Sequence, residues 1–369
     1  MSKTTPTLPQ ESIPRSRSGP AFASLGRVLA GEYGVEDLTD LLADGQEERD
    51  ATLFAAADRV RAEHVGDGVH LRGLVEFSSY CGRTCQYCGL RAADTDLQRY
   101  RMQPDEIVAA GLRAAELGYG TVVLQSGEDA WYRAEIVADI IRRIKSQADM
   151  AVTLCLGERP REDYALWREA GADRYLVRIE TSNRELYARL HPGMSFDNRL
   201  ACLRHLRELG YQVGSGVLVG LPGQTLEMLA GDLLFLRDLP ADMVGIGPFI
   251  PHPGTPLAGA EGGRVPTVLR MVALTRLLLP DSHIVATTAL GTVDPQGREK
   301  ALQAGANVLM PNVTPREFRA LYEIYPDKIC TDEEPEHCRG CIAARVRGLG
   351  RTVASGRGDS PRWLRSPQN

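Results

Sequence analysis

The chain has 369 residues, 43% of them hydrophobic and 25% charged, with a net charge of −5. This is an ordinary globular composition, in a chain long enough to bury a large core without covalent staples. The acidic balance offers no basic surface for a phosphate backbone, and no run of about 18 apolar residues occurs, so neither nucleic acid nor membrane is an expected partner.

Residues 1–20 are rich in Ser, Thr, Pro and Gln and read as a disordered tail. They lack the apolar core of a signal peptide. Arg15 and Arg17 among serines leave an organellar transit peptide open, while Glu11 and the prolines speak against it; the cytoplasm is the expected location. Residues 21–66 read as an N-terminal helical extension, with Leu53, Ala57, Val60 and Ala62 set among charges in Asp50–His64. From residue 71, short apolar runs predict strands at 71–77, 121–125, 151–156, 174–180, 213–220, 242–247, 283–288 and 307–310, rich in Val, Ile and Leu as strands buried on both faces are. Helical stripes alternate with them: Val108, Leu112 and Ala115; Ile136, Ile140 and Ile144; Leu226, Leu229, Leu233 and Leu236. Eight strands alternating with helices predict an α/β fold of the (β/α)8 TIM-type barrel class over residues 67–310. A doubly wound open sheet is the alternative. Residues 311–369 are then a C-terminal appendage packed near the barrel's end.

Six of the eight cysteines fall in two clusters, which in a chain of this length with no export signal reads as metal binding. The first set, Cys81, Cys85 and Cys88, has C-x3-C-x2-C spacing in FSSYCGRTCQYCGL, directly after the first strand. Loops at the C-terminal ends of barrel strands carry active sites. Three thiolates hold three irons of a 4Fe–4S cubane and leave the fourth open. Such an iron can bind the amino and carboxylate groups of S-adenosylmethionine (SAM) and pass an electron into its sulfonium. The competing reading is structural zinc, which wants four ligands; only three cysteines cluster, no histidine lies between them, and His64 and His70 precede the strand. The second set, Cys330, Cys338 and Cys341, has C-x7-C-x2-C spacing. It suits a second Fe–S cluster, 2Fe–2S or 4Fe–4S, or a zinc site completed by His337. The acidic run Asp332–Glu336 predicts an exposed, peripheral position. Cys155 and Cys202 read as small core residues.

The phrases CQYCGLR, RYRMQPDEIV, VVLQSGED, EAGADRYL, VGLPGQT, DMVGIGPFIPHPGTPLA, MVALTRLLLPDS and GANVLMPN resemble the HydE family of radical SAM enzymes, the FeFe-hydrogenase maturases, from about residue 66 to 350. Biotin synthase and methylornithine synthase are more distant relatives. The resemblance implies several contacts to SAM. Tyr87 would rest against adenine, or else simply pack. Gln125, Ser126 and Gly127 would receive the methionine amino group, or form a plain turn. Glu180, expected to end the fourth strand, would accept the ribose hydroxyls, or cap a helix or pair with a cation. Arg199 would meet the SAM carboxylate through its two-pronged guanidinium, and Tyr322 lies in a SAM-contacting stretch. Arg178, Thr287 and Thr288 would point into the barrel as a substrate cavity, with Arg178 paired to an anionic substrate or to a neighbouring carboxylate. His252, in the proline-rich loop after strand six, reads as a hydrogen-bonded rim residue.

The implied activity is reductive SAM cleavage to a 5′-deoxyadenosyl radical, in building the diiron subcluster of the hydrogenase. The implied substrate is a small organometallic or amino-acid-derived molecule: an iron species bearing CO, cyanide and cysteine, made by HydG and passed on towards HydF. An electron donor such as ferredoxin or flavodoxin is required. A methylornithine synthase-like or biotin synthase-like enzyme is the nearest alternative, and an electron-transfer Fe–S protein the alternative of another class.

Overall fold

The computed structural model describes residues 22–43 and 47–365, so the expected tail at 1–20 lies outside the described residues. Three helices come first: α1 (Ala23–Ala30), α2 (Val35–Leu42) and α3 (Glu47–Val65). They lie on the outside of the main body. Arg270 and Asp50 fasten α3 to the body through a paired contact at 2.7 Å.

Parallel strands then alternate with helices. In chain order they are β1 (Gly68–Leu71), β2 (Gly73–Ser78), α4 (Pro104–Glu116), β3 (Thr121–Ser126), α5 (Ala134–Gln147), β4 (Ala151–Cys155), α6 (Arg161–Glu169), β5 (Arg174–Leu176), α7 (Arg184–Leu190), α8 (Phe196–Glu208), β6 (Gln212–Val219), α9 (Leu226–Asp238), β7 (Met243–Pro248), α10 (Val265–Leu278), β8 (His283–Ala286), α11 (Thr288–Val293), α12 (Gly297–Gln303) and β9 (Val308–Leu309). The sheet runs from β1 through β9, β8, β7, β6, β5, β4 and β3 to β2. Because β1 and β2 are one strand interrupted at Arg72, the sheet returns to its own start. Backbone bonds from Arg72 N to Leu309 O (3.0 Å), Leu74 N to Pro311 O (2.8 Å) and Val313 N to Leu74 O (2.8 Å) make the closure. The result is a (β/α)8 barrel rather than the doubly wound alternative. The amphipathic stripes explain the outer ring: Val108, Ile140, Ile144, Leu229, Leu233 and Leu236 are all buried. Capping side chains start the helices on this face: Asn183, Ser195, Thr225 and Thr287 each accept the N–H three residues on.

Two strand expectations change. The first run breaks at Arg72, and the run at 174–180 is regular strand only to Leu176. Beyond it Glu180 takes a left-handed φ of 63°, so that residue sits on a bend and not at a strand end.

The chain after residue 310 serves both ends of the barrel. α13 (Arg316–Arg319) and the residues up to Cys330 pass over the C-terminal mouth, followed by α14 (Pro335–Gly348), β10 (Thr352–Val353) and α15 (Pro361–Arg365). β10 pairs with β1, and residues 356–360 close the N-terminal mouth. There Arg174, fully buried, donates to Asp359 (2.7 Å), Thr121 (2.8 Å) and the Arg357 carbonyl (2.6 Å). With the bottom sealed, access to the interior is from the C-terminal mouth. Among the described residues, no helix is long and apolar enough to cross a membrane.

Candidate active site

The loop following β2 carries Cys81, Cys85 and Cys88 as free thiols. Arg99 braces this loop from within, donating to the carbonyls of Ser79 (2.6 Å), Leu90 (3.1 Å), Arg91 (2.8 Å) and Asp94 (3.0 Å). Neighbouring elements fix it from outside: Gly82 N donates to Glu128 O (3.0 Å), Gln86 N to Leu190 O (2.9 Å) and Gly89 N to Ile324 O (3.1 Å). Gly127 allows a further close approach, since a Cβ there would lie 2.2 Å from Tyr80 O and 2.8 Å from Cys81 Cβ. The Cys81 sulfur accepts N–H groups of Glu128 (3.4 Å) and Arg83 (3.5 Å). Burial raises the Cys81 thiol, pushes Cys85 up to about 12 and raises Cys88 further, so metal binding here must displace protons. Among the described residues, no three or more His, Cys, Asp or Glu converge on one metal-ion position. A cubane, with each thiolate on a different iron, fits this donor set better than one zinc ion does.

Beside the loop, Tyr87 lines the open space and hydrogen-bonds through its hydroxyl to His191 Nε2 (2.9 Å). It packs with the cluster of Leu186, Leu190, Leu221 and Phe249. Gln125 and Ser126 line the same space at the end of β3. Glu180 is buried beside Arg178, Oε2 to Nη2 at 3.0 Å, yet that oxygen has no aligned hydrogen-bond donor. Burial raises the Glu180 pKa, and Arg178 and Arg199 only partly offset this. Asp232, fully buried, holds the bend after Glu180 by accepting from Ser182 N (2.5 Å) and Ser182 Oγ (2.6 Å); burial pushes its carboxyl up to about 7. Arg199 is buried too. Its Nε donates to Glu158 (2.6 Å) and its Nη1 to the Arg178 carbonyl.

Two adjacent cavities of about 160 and about 270 Å³ occupy the upper barrel. Both are lined by Gln125, Cys155, Arg178, Thr287 and Tyr325. Glu180 and Tyr322 face the outer one, and Thr288, Arg298, Lys328 and Glu76 the inner one. Glu76, at 2% exposure, pairs with Lys328 (2.8 Å) and accepts from Asn312 (2.8 Å). Cys155 corrects the sequence reading. The alternation of β4 turns it into the cavity instead of the packed core, whereas Cys202 is buried in the core. His252 is buried at the rim, its Nδ1 accepting Gly254 N (3.0 Å).

The second cysteine set straddles the boundary between cavity and surface. Cys341 and the acidic residues Asp332, Glu333, Glu334 and Glu336 are exposed. Cys338 is buried in the core, and Cys330 lies on the inner cavity wall. The expected peripheral position therefore holds for the acidic run but not for Cys330, because the chain must pass over the barrel mouth before reaching α14. A hydrogen bond from Cys338 lowers the Cys330 pKa from its ordinary value.

Several residues at the site escaped the sequence reading: Glu128, Glu158, Arg99, His191 and Asp232. Glu128 lies inside VVLQSGED and Glu158 directly follows Gly157 after a strand, so position alone could have flagged both. His191 and Asp232 act through partners distant in sequence and leave no local signal, while Arg99 braces its own loop through backbone carbonyls, which no side-chain pattern records.

Residues 75–236 match the Radical SAM superfamily. The chain is 52% identical over 320 residues to the [FeFe] hydrogenase maturase subunit HydE of Thermotoga maritima, covering 87% of this chain and 92% of that one. It is 29% identical to the 3-methylornithine synthase of Methanosarcina acetivorans, over 74% and 78% of the two chains. Among solved structures, methylornithine synthase superposes with a TM-score of 0.79 at 26% identity, over 90% of this chain and 97% of that one. The maturase HydG of Carboxydothermus hydrogenoformans shares the fold, with a TM-score of 0.73 at 23% identity over 89% and 77% of the two chains. A cysteine triad on the first barrel loop, a sealed floor and an interior cavity thus accompany close sequence identity, and the chain belongs to the HydE family of radical SAM enzymes, for which a 4Fe–4S cluster and SAM are the working cofactors.

Proposed function

We propose that the chain acts in FeFe-hydrogenase maturation, on a small iron species bearing CO, cyanide and cysteine taken into the barrel cavity. The observation that carries this reading is that the loop of three free cysteines puts Cys88 on the wall of the outer cavity, beside an inner one lined by Arg178, Arg298, Lys328, Glu76, Thr287 and Thr288. Cys81, Cys85 and Cys88 would hold three irons of the cluster. Tyr87 with Leu218 and Phe249 would receive adenine, Glu180 the ribose, Gln125, Ser126 and Gly127 the methionine ammonium, and Arg199 the carboxylate; Tyr322 closes that wall. When bound, the cluster and SAM supply a 5′-deoxyadenosyl radical. The protein's own task is to keep water out and the substrate still: the floor is sealed, and Arg178 with Thr287 and Thr288 offers donors to an anionic, carbonyl-rich ligand. The identity with HydE, higher than that with methylornithine synthase, favours the maturase over the amino-acid mutase reading. HydG as supplier, a HydF-like scaffold as acceptor and a ferredoxin or flavodoxin as electron donor complete the proposal. Cys330, Cys338 and Cys341 would hold a second Fe–S cluster that SAM cleavage does not need.

The test is anaerobic reconstitution with iron and sulfide, followed by EPR of the reduced cluster with and without SAM. Cys85→Ala should abolish the SAM-induced change in the signal. The triple Cys330/Cys338/Cys341→Ala variant should lose part of its iron yet still form 5′-deoxyadenosine with dithionite. An unchanged SAM response in Cys85→Ala would refute the cluster assignment. Parental iron content in the triple variant would refute the second site, and loss of all SAM cleavage by a folded triple variant would refute its dispensability.

A further inference from the structure

We propose that Glu158 is the positioning residue for Arg199, and that it ties the SAM-carboxylate cation to the loop that carries the cluster. This rests on the reading of Arg199 as the SAM-carboxylate partner. The Glu158 side chain is 4% exposed and is occupied on both oxygens. Oε1 accepts from Arg199 Nε (2.6 Å), Oε2 accepts from Asn198 Nδ2 (2.8 Å), and Arg83 Nη2 lies 3.7 Å from Oε2. Its backbone N–H donates to Glu128 Oε1 (3.0 Å). Glu128 in turn pairs with Arg83 (2.5 Å), and its own N–H reaches the Cys81 sulfur (3.4 Å). Cys81, Glu128, Arg83, Glu158 and Arg199 thus form one connected ladder, in which two carboxylates balance two guanidiniums before any ligand arrives. Gly157 makes the ladder possible: it has a φ of 72°, and a Cβ there would lie 2.1 Å from Glu128 Cγ.

The arrangement has two physical consequences. A guanidinium buried to the extent of Arg199 is costly without a counter-charge, and Glu158 supplies one in the absence of SAM. Moreover, Nε is taken by Glu158 and Nη1 by the Arg178 carbonyl, so the cation is held in plane with Nη2 remaining for a ligand carboxylate. Specificity for SAM at this end of the pocket therefore comes from fixed orientation, not from a two-pronged grip.

The experiment uses reconstituted holoenzyme and reads SAM affinity by titrating the SAM-dependent change in the reduced cluster's EPR signal. Iron, sulfide and melting temperature serve as controls. Four proteins are compared: parent, Glu158→Gln, Arg199→Lys and the double variant. Glu158→Gln should retain the cluster but bind SAM about tenfold more weakly, the scale of one charge-assisted hydrogen bond. The double variant should bind no more weakly than Arg199→Lys alone, because Glu158 acts through Arg199. Parental affinity in cluster-loaded Glu158→Gln, or fully additive losses in the double variant, would overturn the proposal. Parental affinity in Arg199→Lys would instead overturn the reading on which it rests. Should Glu158→Gln fail to fold, Asn198→Ala removes one of the two contacts holding the carboxylate and should weaken SAM binding about threefold; no change in that variant overturns the proposal equally.

Discussion

Replacing Gly127 by Ala puts a single methyl group where the cluster loop touches β3. The added carbon would lie 2.2 Å from Tyr80 O and 2.8 Å from Cys81 Cβ, while ordinary van der Waals contact begins at 3.4 Å. The nearest obstacle is backbone and cannot rotate away. The loop must therefore move by roughly 1 Å, and with it the bonds from Gly82 N to Glu128 O (3.0 Å) and from Glu128 N to Cys81 Sγ (3.4 Å). Overpacking of this kind costs about 1–3 kcal/mol, and each weakened bond adds up to about 1 kcal/mol. The expected loss is about 2–4 kcal/mol, together with a displaced first cluster ligand. Calorimetry of the cluster-free protein reads the stability, and iron per chain after anaerobic reconstitution reads the ligand geometry. Both should fall. Gly245→Ala is the matched control, since nothing lies within 4 Å of a Cβ there and the carbon would enter the cavity; it should leave both values at the parental level. A Gly127→Ala protein with parental stability and iron content would refute the close-approach reasoning.

Two further outcomes are expected. Lys328→Met strands Glu76, a carboxylate at 2% exposure whose other side-chain contact is Asn312, and should cost about 3 kcal/mol, with most of it recovered by adding Glu76→Gln; a urea midpoint that the single change leaves in place would contradict this. Burial lowers the pKa of His70 and of His191 to about 4, from 6.5. The unfolded chain therefore takes up these protons before the native one does. The stabilisation is complete above about pH 6.5 and is lost as pH falls towards 4, by up to about 3 kcal/mol per histidine. Asp232, raised to about 7, opposes this trend, so His191→Gln isolates the effect: the urea midpoint of the cluster-free variant should fall less steeply between pH 7 and 5 than the parent's, and equal slopes would count against it.

Sequence alone determined the class of fold and the chemistry of the first loop. Buried parallel strands must be apolar on both faces, so runs such as TVVLQ and AVTLCL stand out, and the helical stripes between them repeat at a period no strand has. Cys81, Cys85 and Cys88 lie within eight residues of one another, and local spacing is what a sequence records best. The tertiary structure decided everything that depends on contacts between distant segments. Cys155 is a cavity residue because of the parity of β4. Glu180 sits on a bend because Asp232, some fifty residues later, captures the turn behind it. Cys330 reaches the cavity wall because the chain after β9 must cross the mouth. Arg199 is legible as a cation, but the carboxylate that aims it, Glu158, comes from a different βα loop. Such pairings carry no periodicity and no fixed spacing. They arise when barrel closure brings eight loops to one face, and closure is a property of the whole sheet, not of any segment within it.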